Sequence, residues 1–221
     1  MSGRPRDPIP EPHPLGRVRY KFFPQDERNY LIFFKPFDVL SQFTPEAGSD
    51  KSTLAEFGFP PDVYPIGRLD ADSEGLLILS DDTRLNSRLL DPLNAHSRTY
   101  LAQVENVPAQ KSIEQLKDGV DIKGHRTAPA TARLVTEEPV LPERLKPIRF
   151  RKNIPTAWVE LTISEGKNRQ VRRMTAAVGH PTLRLLRVAI GKLSLERANL
   201  KPGQWRNLTH EELALAFEDN Y

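Results

Sequence analysis

Gly67-Arg68-Leu69-Asp70-Ala71-Asp72-Ser73-Glu74-Gly75, followed at once by Leu76-Leu77-Ile78-Leu79, joins a polar turn to an apolar strand. Two glycines bracket the polar part. The four apolar residues after it are too few for a helix of ordinary length and suit a strand buried on both faces. A carboxylate in such a loop is carried by flexible backbone yet anchored by the strand behind it, as a catalytic group must be. Taken alone, Asp70 also fits an ordinary turn aspartate, and its pairing with Asp72 two residues on does not place both at one site.

Working outward, Tyr30-Leu31-Ile32-Phe33-Phe34 reads as a first strand ended by Lys35-Pro36. Leu76–Ser80 is the buried strand, and Asp81-Asp82 can cap a helix over Thr83–Leu90 that stops before Pro92. Thr99–Val104 and Trp158–Ile163 alternate as strands do, and Ala109–Asp118 is an amphipathic helix closed by Gly119. Glu137–Pro155, with four prolines and dense charge, predicts an exposed arm. Thr209 and Glu212 form a capping box for a last helix over Glu211–Glu218. Strands and helices interleave without a βαβ rhythm, which favours an α+β fold. Residues 1–29, rich in Pro and Arg, are expected to be a mostly disordered tail, with order from Tyr30 to Tyr221.

The bulk composition excludes several function classes. The chain has 221 residues, no cysteine and a formal charge of +3. No run is long enough to span a membrane, and no export signal is legible, so a cytoplasmic protein is expected. Without cysteine there is no thiolate nucleophile, disulfide or thiolate-held zinc. The five histidines, His13, His96, His125, His180 and His210, show no metal-ligand spacing. No glycine-rich phosphate loop is present. Neither a histidine-held metal nor a nucleotide cofactor on such a loop is expected.

Charge is unevenly spread. Between Glu165 and Lys192 stand Lys167, Arg169, Arg172, Arg173, Arg184, Arg187 and Lys192, with Glu165 as the lone acid. A second cluster is Arg144, Lys146, Arg149, Arg151 and Lys152, whereas Glu46–Asp82 is mostly acidic. Read as a helix from Gly166 to Gly179, the first cluster puts Val171, Met174 and Val178 on one face. Arg169 and Arg173 then face away, and Arg172 lies on the flank. Arginine forks and a helix N-terminus suit phosphate, so a polyanion partner is expected. A solvated face with counter-ions remains the plainer reading of the window by itself.

Likeness adds to this reading. Gly67-Arg68-Leu69-Asp70 with Asp72-Ser73-Glu74-Gly75-Leu76-Leu77 closely resembles the catalytic motif of the RsuA-type pseudouridine synthases. Thr99–Val104 resembles that family's tyrosine-bearing strand. Ser164–Met174 and Leu186–Gly191 resemble its third block. The blocks run in the family's order over roughly residues 30 to 208. Phe33–Thr44 further resembles the subgroup known as ribosomal large subunit pseudouridine synthase E. Phe34 stands where relatives often carry Asn, Asp38 where they often carry Gly, and Asp82-Thr83 where Asp-Gly is common.

The resemblance implies a mixed, mainly antiparallel sheet in two lobes with flanking helices and, in this chain, no S4 domain. It implies isomerisation of one uridine in bacterial 23S rRNA, free or in a pre-ribosomal large-subunit particle, by a monomeric enzyme. Asp70 would be the catalytic carboxylate, acting on the sugar or the base. Tyr100 would stack on the uracil, and Arg172 would pair with Asp70. Arg68 would replace the extruded base, with Lys35, Lys167, Arg169, Arg173 and Arg187 as further RNA-binding residues. A non-catalytic RNA-binding protein would keep the basic segment without Asp70, and a hydrolase would use Asp70 with Asp72.

Overall fold

Leu31, Ile32, Phe33 and Phe34 are all buried, as are Leu76, Leu77, Ile78 and Leu79, because their strands are covered on both faces. In the computed structural model, which describes residues 28–85, 96–144, 146–148 and 154–217, these runs become β1 (Tyr30–Lys35) and β2 (Glu74–Ser80). They pair antiparallel, Phe33 opposite Leu77 and Lys35 opposite Gly75. The other long strands are β3 (Arg98–Glu105), β4 (Thr131–Val135), β5 (Thr156–Ile163) and β6 (Thr182–Ile190). A short β7 (Trp205–Asn207) completes the path. The sheet runs β7-β1-β2-β6-β3-β5-β4. Its neighbours are antiparallel except at the centre, where β2 and β6 run parallel. This mixed, mainly antiparallel α+β architecture is the class the sequence predicts.

Alternation along the strands sorts the core. Leu31, Phe33, Leu77 and Leu79 meet Val39, Leu54 and Val63 on one face. Ile32, Leu76 and Ile78 meet Ile190, Leu193, Leu213 and Phe217 on the other. Besides a 3₁₀ turn at Leu54–Phe57, four α-helices flank the sheet in the described residues: α1 (Gln110–Asp118), α2 (Gln170–Ala177), α3 (Leu195–Ala198) and α4 (His210–Phe217). Ile113 and Leu116 of α1, and Val171 and Met174 of α2, pack on Tyr100, Ala102, Val104, Leu161 and Leu185. Leu69 belongs to that same cluster, so the residue before Asp70 is held in the core that carries α2.

Local expectations hold with small shifts. Glu74 and Gly75 belong to β2 rather than to the loop. The α4 capping box is present, with the Glu212 N–H donating to Thr209 Oγ1 (3.1 Å) and the Thr209 N–H to Glu212 Oε2 (3.0 Å). Asp82 caps Arg84 (3.1 Å), and the rest of the expected Thr83–Leu90 helix lies outside the described residues, as do residues 1–27. Gly179, at φ +89, ends α2, its N–H bonding Ala176 O while the His180 N–H bonds Thr175 O. Asp38, standing where relatives often have glycine, adopts φ +65.

Two expectations are corrected. The helix over Gly166–Gly179 begins only at Gln170, with Arg169 as its cap in the left-handed region (φ 53). The helical wheel therefore does not apply to Arg169. The arm is not simply an exposed connector. Leu141 packs on Phe34, Trp158 and Leu186, and the Trp158 indole donates to Glu138 (2.9 Å). Arg144 lies over the Phe37 ring at 3.9 Å, and Lys146 reaches Asp38 at 3.3 Å. Apolar and cation–π contacts draw the arm across to the turn after β1. Arg149, Arg151 and Lys152 lie outside the described residues. Among the described residues no helix is long and apolar enough to cross a membrane.

Candidate active site

The loop between Gly67 and β2 is fastened at backbone atoms on both sides of Asp70. The buried Ser41 hydroxyl donates to Leu69 O (2.8 Å) and accepts from the Leu69 N–H (3.1 Å). The Ala71 carbonyl accepts from the Asp38 N–H (2.7 Å) and from Lys35 Nζ (3.4 Å). The Asp72 carbonyl accepts from Arg172 Nη2 (2.6 Å), and the Ser73 N–H closes the turn on Asp70 O (3.0 Å). These bonds leave the Asp70 carboxylate itself uncommitted and about one-third exposed, its nearest cation being Arg169 at 3.7 Å. A group held through its backbone while its side chain stays available is preorganised for chemistry. Tyr100, on β3, is buried and shares a cluster with Leu69, so fold and loop bring Asp70 and Tyr100 to one region.

The basic segment meets this loop differently from the sequence reading. Arg172 does not pair with Asp70: it holds the Asp72 carbonyl, donates to Thr182 O (3.2 Å) and lies 3.4 Å from the Asp72 carboxylate. The turn that Ser73 closes presents Asp72, not Asp70, to α2. Arg169, expected to face outwards, forks onto both Asp72 oxygens at 2.8 Å and also approaches Asp70. Its left-handed backbone at the helix start swings it inward. Hydrogen bonding from Arg169, with the charges of Arg172 and Arg169, holds the Asp72 carboxyl below the usual range despite the opposing effect of burial. Asp72 thus anchors the basic segment to the loop.

Lys35 and Arg187, expected among the RNA-binding residues, are both buried. Lys35 Nζ is wrapped by the carbonyls of Pro36 (2.8 Å), Val39 (2.7 Å) and Ala71. Burial lowers its pKa to about 7, with the Arg187 charge adding to that shift while Glu74, Asp72 and Asp70 oppose it. Arg187 Nε donates to Leu76 O at 2.7 Å. Arg184, counted above with the surface charge, is buried on Glu74 (2.7 Å) and Pro142 O (2.9 Å). Arg68 is exposed and touches Gln42 (3.2 Å); Lys167 is exposed, and Arg173 is half-buried against Asn168. These three, with Arg169 and with Lys146 and Arg144 of the arm, are cations open to solvent around the loop. The sequence reading missed Ser41, which carries no local signal. It also missed Glu74, whose one hint is an acid at the head of an apolar strand.

The lowered Lys35 pKa has a sign that can be measured. Between about pH 7 and its unfolded value near 10.4, the unfolded chain binds a proton at Lys35 that the folded chain does not. Stability from this group therefore rises with pH across that window, by roughly 5 kcal/mol in total. Urea unfolding at pH 7.5 and 9.5 should show a steeper gain for the wild type than for Lys35→Met. Equal slopes would place the Lys35 pKa in the ordinary range.

The chain is similar to known proteins over most of its length. Residues 29–177 match the model of the RNA pseudouridylate synthase family. The chain is 55% identical over 176 residues, 80% of its length and 93% of the relative's, to ribosomal large subunit pseudouridine synthase E of Xanthomonas campestris pv. campestris. It is 46% identical over 181 residues, 82% of its length and 74% of the relative's, to the protein of the same name from Vibrio parahaemolyticus. The crystal structure of a pseudouridylate synthase superposes with a TM-score of 0.69 at 27% identity, covering 86% of this chain and 74% of that one. The loop that the sequence singles out lies within the matched segment, and the chain belongs to the RNA pseudouridylate synthase family, isomerases that act on RNA.

Proposed function

We propose that this enzyme converts one uridine of bacterial 23S rRNA to pseudouridine, as a cytoplasmic monomer acting on free rRNA or a large-subunit assembly intermediate. The observation that carries the large-subunit assignment is the 55% identity, over nearly the whole of the relative, to large subunit synthase E. In this reading Asp70 is the catalytic carboxylate and Tyr100 lies against the uracil. Arg172 supports the reaction by fixing the loop through the Asp72 carbonyl rather than by pairing with Asp70. Arg68, exposed at the loop's mouth, fills the place of the extruded base, since chemistry on a stacked base requires taking it out of the helix. Lys167 and Arg173 hold phosphates and give binding its salt dependence. Arg169 sits between the Asp70 and Asp72 carboxylates and binds RNA there once substrate enters.

The isomerisation needs no net oxidation or hydrolysis. The C1′–N1 bond breaks, the base turns, and a C1′–C5 bond forms. The C5 proton leaves and N1 gains one. The test is conversion in vitro: purified enzyme with a 23S rRNA transcript, read by carbodiimide-dependent primer extension. One new stop on the 23S transcript and none on a 16S transcript is the expected result. Conversion confined to the 16S transcript would overturn the large-subunit assignment.

A further inference from the structure

The strand registers place four residues in one row across the centre of the sheet. Lys35 on β1 faces Gly75 on β2, Gly75 faces Arg187 on β6, and Arg187 faces Tyr100 on β3. Residues directly opposite one another share a face, so Lys35, Arg187 and Tyr100 rise from the same side, with no side chain between the two cations. The Asp70 loop lies beside this row, since Lys35 bonds the Ala71 carbonyl and Leu69 packs with Tyr100.

Within the row, Arg187 has an unspent donor. It is 4% exposed, and its Nε is satisfied by Leu76 O, but its Nη2 is buried without a hydrogen-bond partner. An unmade bond at a buried guanidinium is costly and calls for an explanation. The pairing of β6 with β3 also slips between Arg187 and Ala189. Such irregularities re-aim side chains and concentrate next to active sites. The surface cations around the loop already suffice for the RNA backbone, whereas a desolvated fork beside Tyr100 does not meet exposed phosphate.

We infer that Arg187 is a catalytic residue whose free Nη2 donates to a carbonyl oxygen of the extruded uracil. This rests on the synthase reading above. When the C1′–N1 bond breaks, its electron pair stays with the base, and the charge spreads over N1 and the two carbonyl oxygens. If Asp70 instead adds to C6 of the base, the C5–C6 π pair is pushed onto the C4 carbonyl oxygen. On either course a preorganised buried cation stabilises the oxygen charge where it develops. That pair is spent in the new C5–C1′ bond, and the C5 proton then leaves as N1 gains one.

The test is a cycle combining enzyme variants with altered substrate. A short RNA spanning the uridine that the wild type converts is made with uracil, 2-thiouracil or 4-thiouracil at that position. Thio substitution weakens one acceptor at a time. Single-turnover rates are measured for wild type and Arg187→Gln, with binding followed separately by filter retention. Arg187→Gln should react at least 100-fold more slowly on the uracil RNA while binding it within threefold of the wild type. One of the two thio substitutions should slow the wild type at least tenfold and leave Arg187→Gln unaffected. Should Arg187→Gln not fold, Arg187→Lys keeps the charge without the fork and should show the same loss of thio sensitivity. Equal thio effects in wild type and variant would overturn the contact, whereas absence of wild-type conversion would instead count against the synthase reading.

Discussion

Asp70→Asn should fold as the wild type does and convert uridine on the order of 10⁴-fold more slowly. The two halves of this expectation rest on different atoms. The loop is fixed through the backbones of Leu69, Ala71, Asp72 and Ser73, by Ser41, Asp38, Lys35, Arg172 and the turn itself. None of those bonds uses the Asp70 side chain, whose nearest charge is Arg169 at 3.7 Å across a partly exposed gap. A pair of that kind contributes about 1 kcal/mol or less. Asparagine keeps the shape and the exposure of the residue but removes the anion, so chemistry is lost while shape is kept. Single-turnover conversion of a 23S rRNA transcript reads the first half, and thermal unfolding beside the wild type reads the second. Conversion within tenfold of the wild type by a folded variant would remove Asp70 from the chemistry.

How far the sequence carried depends on the range of the interaction. The strands at Tyr30, Leu76, Thr99 and Trp158 were legible because their patterns are local: continuous apolar runs where both faces are covered, alternation elsewhere. The Thr209–Glu212 capping box and the Gly179 stop were legible for the same reason. The electrostatics of the site were not. A local window shows Arg169, Arg172 and Arg184 beside a single acid, Glu165. Their partners are Asp72 and Glu74, some hundred residues earlier, in the acidic stretch read separately. The charge segregation that suggested a basic surface in part reports two segments that neutralise each other, between the Asp70 loop and α2 and across the β2–β6 junction. Glu165 is itself engaged, accepting from the Ala128 N–H (2.9 Å) and from Gln170 (2.6 Å). Lys35 illustrates the same limit: at the end of an apolar strand it reads as a surface cation, and only the turn folding back over it shows that its ammonium is enclosed.

Gly75→Ala should destabilise the fold by about 3–5 kcal/mol. Gly75 lies inside β2 yet has φ +106, a conformation that L side chains rarely adopt. A Cβ there would stand 2.3 Å from Arg187 O and 2.8 Å from Arg187 N. These are backbone atoms of the neighbouring parallel strand and cannot rotate away. Relief requires β2 and β6 to part, at the only parallel pairing in the main sheet among the described residues. That movement would strain the buried Arg184–Glu74 pair and pull Arg187 away from the Lys35–Tyr100 row. Against a total stability of ordinarily 5–15 kcal/mol, such a loss lowers the folded-to-unfolded ratio by a factor of about 10² to 10⁴. Gly124→Ala separates the two causes. Gly124 also has positive φ, +73, but an added Cβ there meets nothing within 4 Å. That variant isolates the backbone cost, about 1–2 kcal/mol, and the excess in Gly75→Ala measures the closeness of the two strands. Equal losses in urea unfolding would mean that β6 can yield at Arg187, and that the junction under the Asp70 loop is softer than its geometry implies.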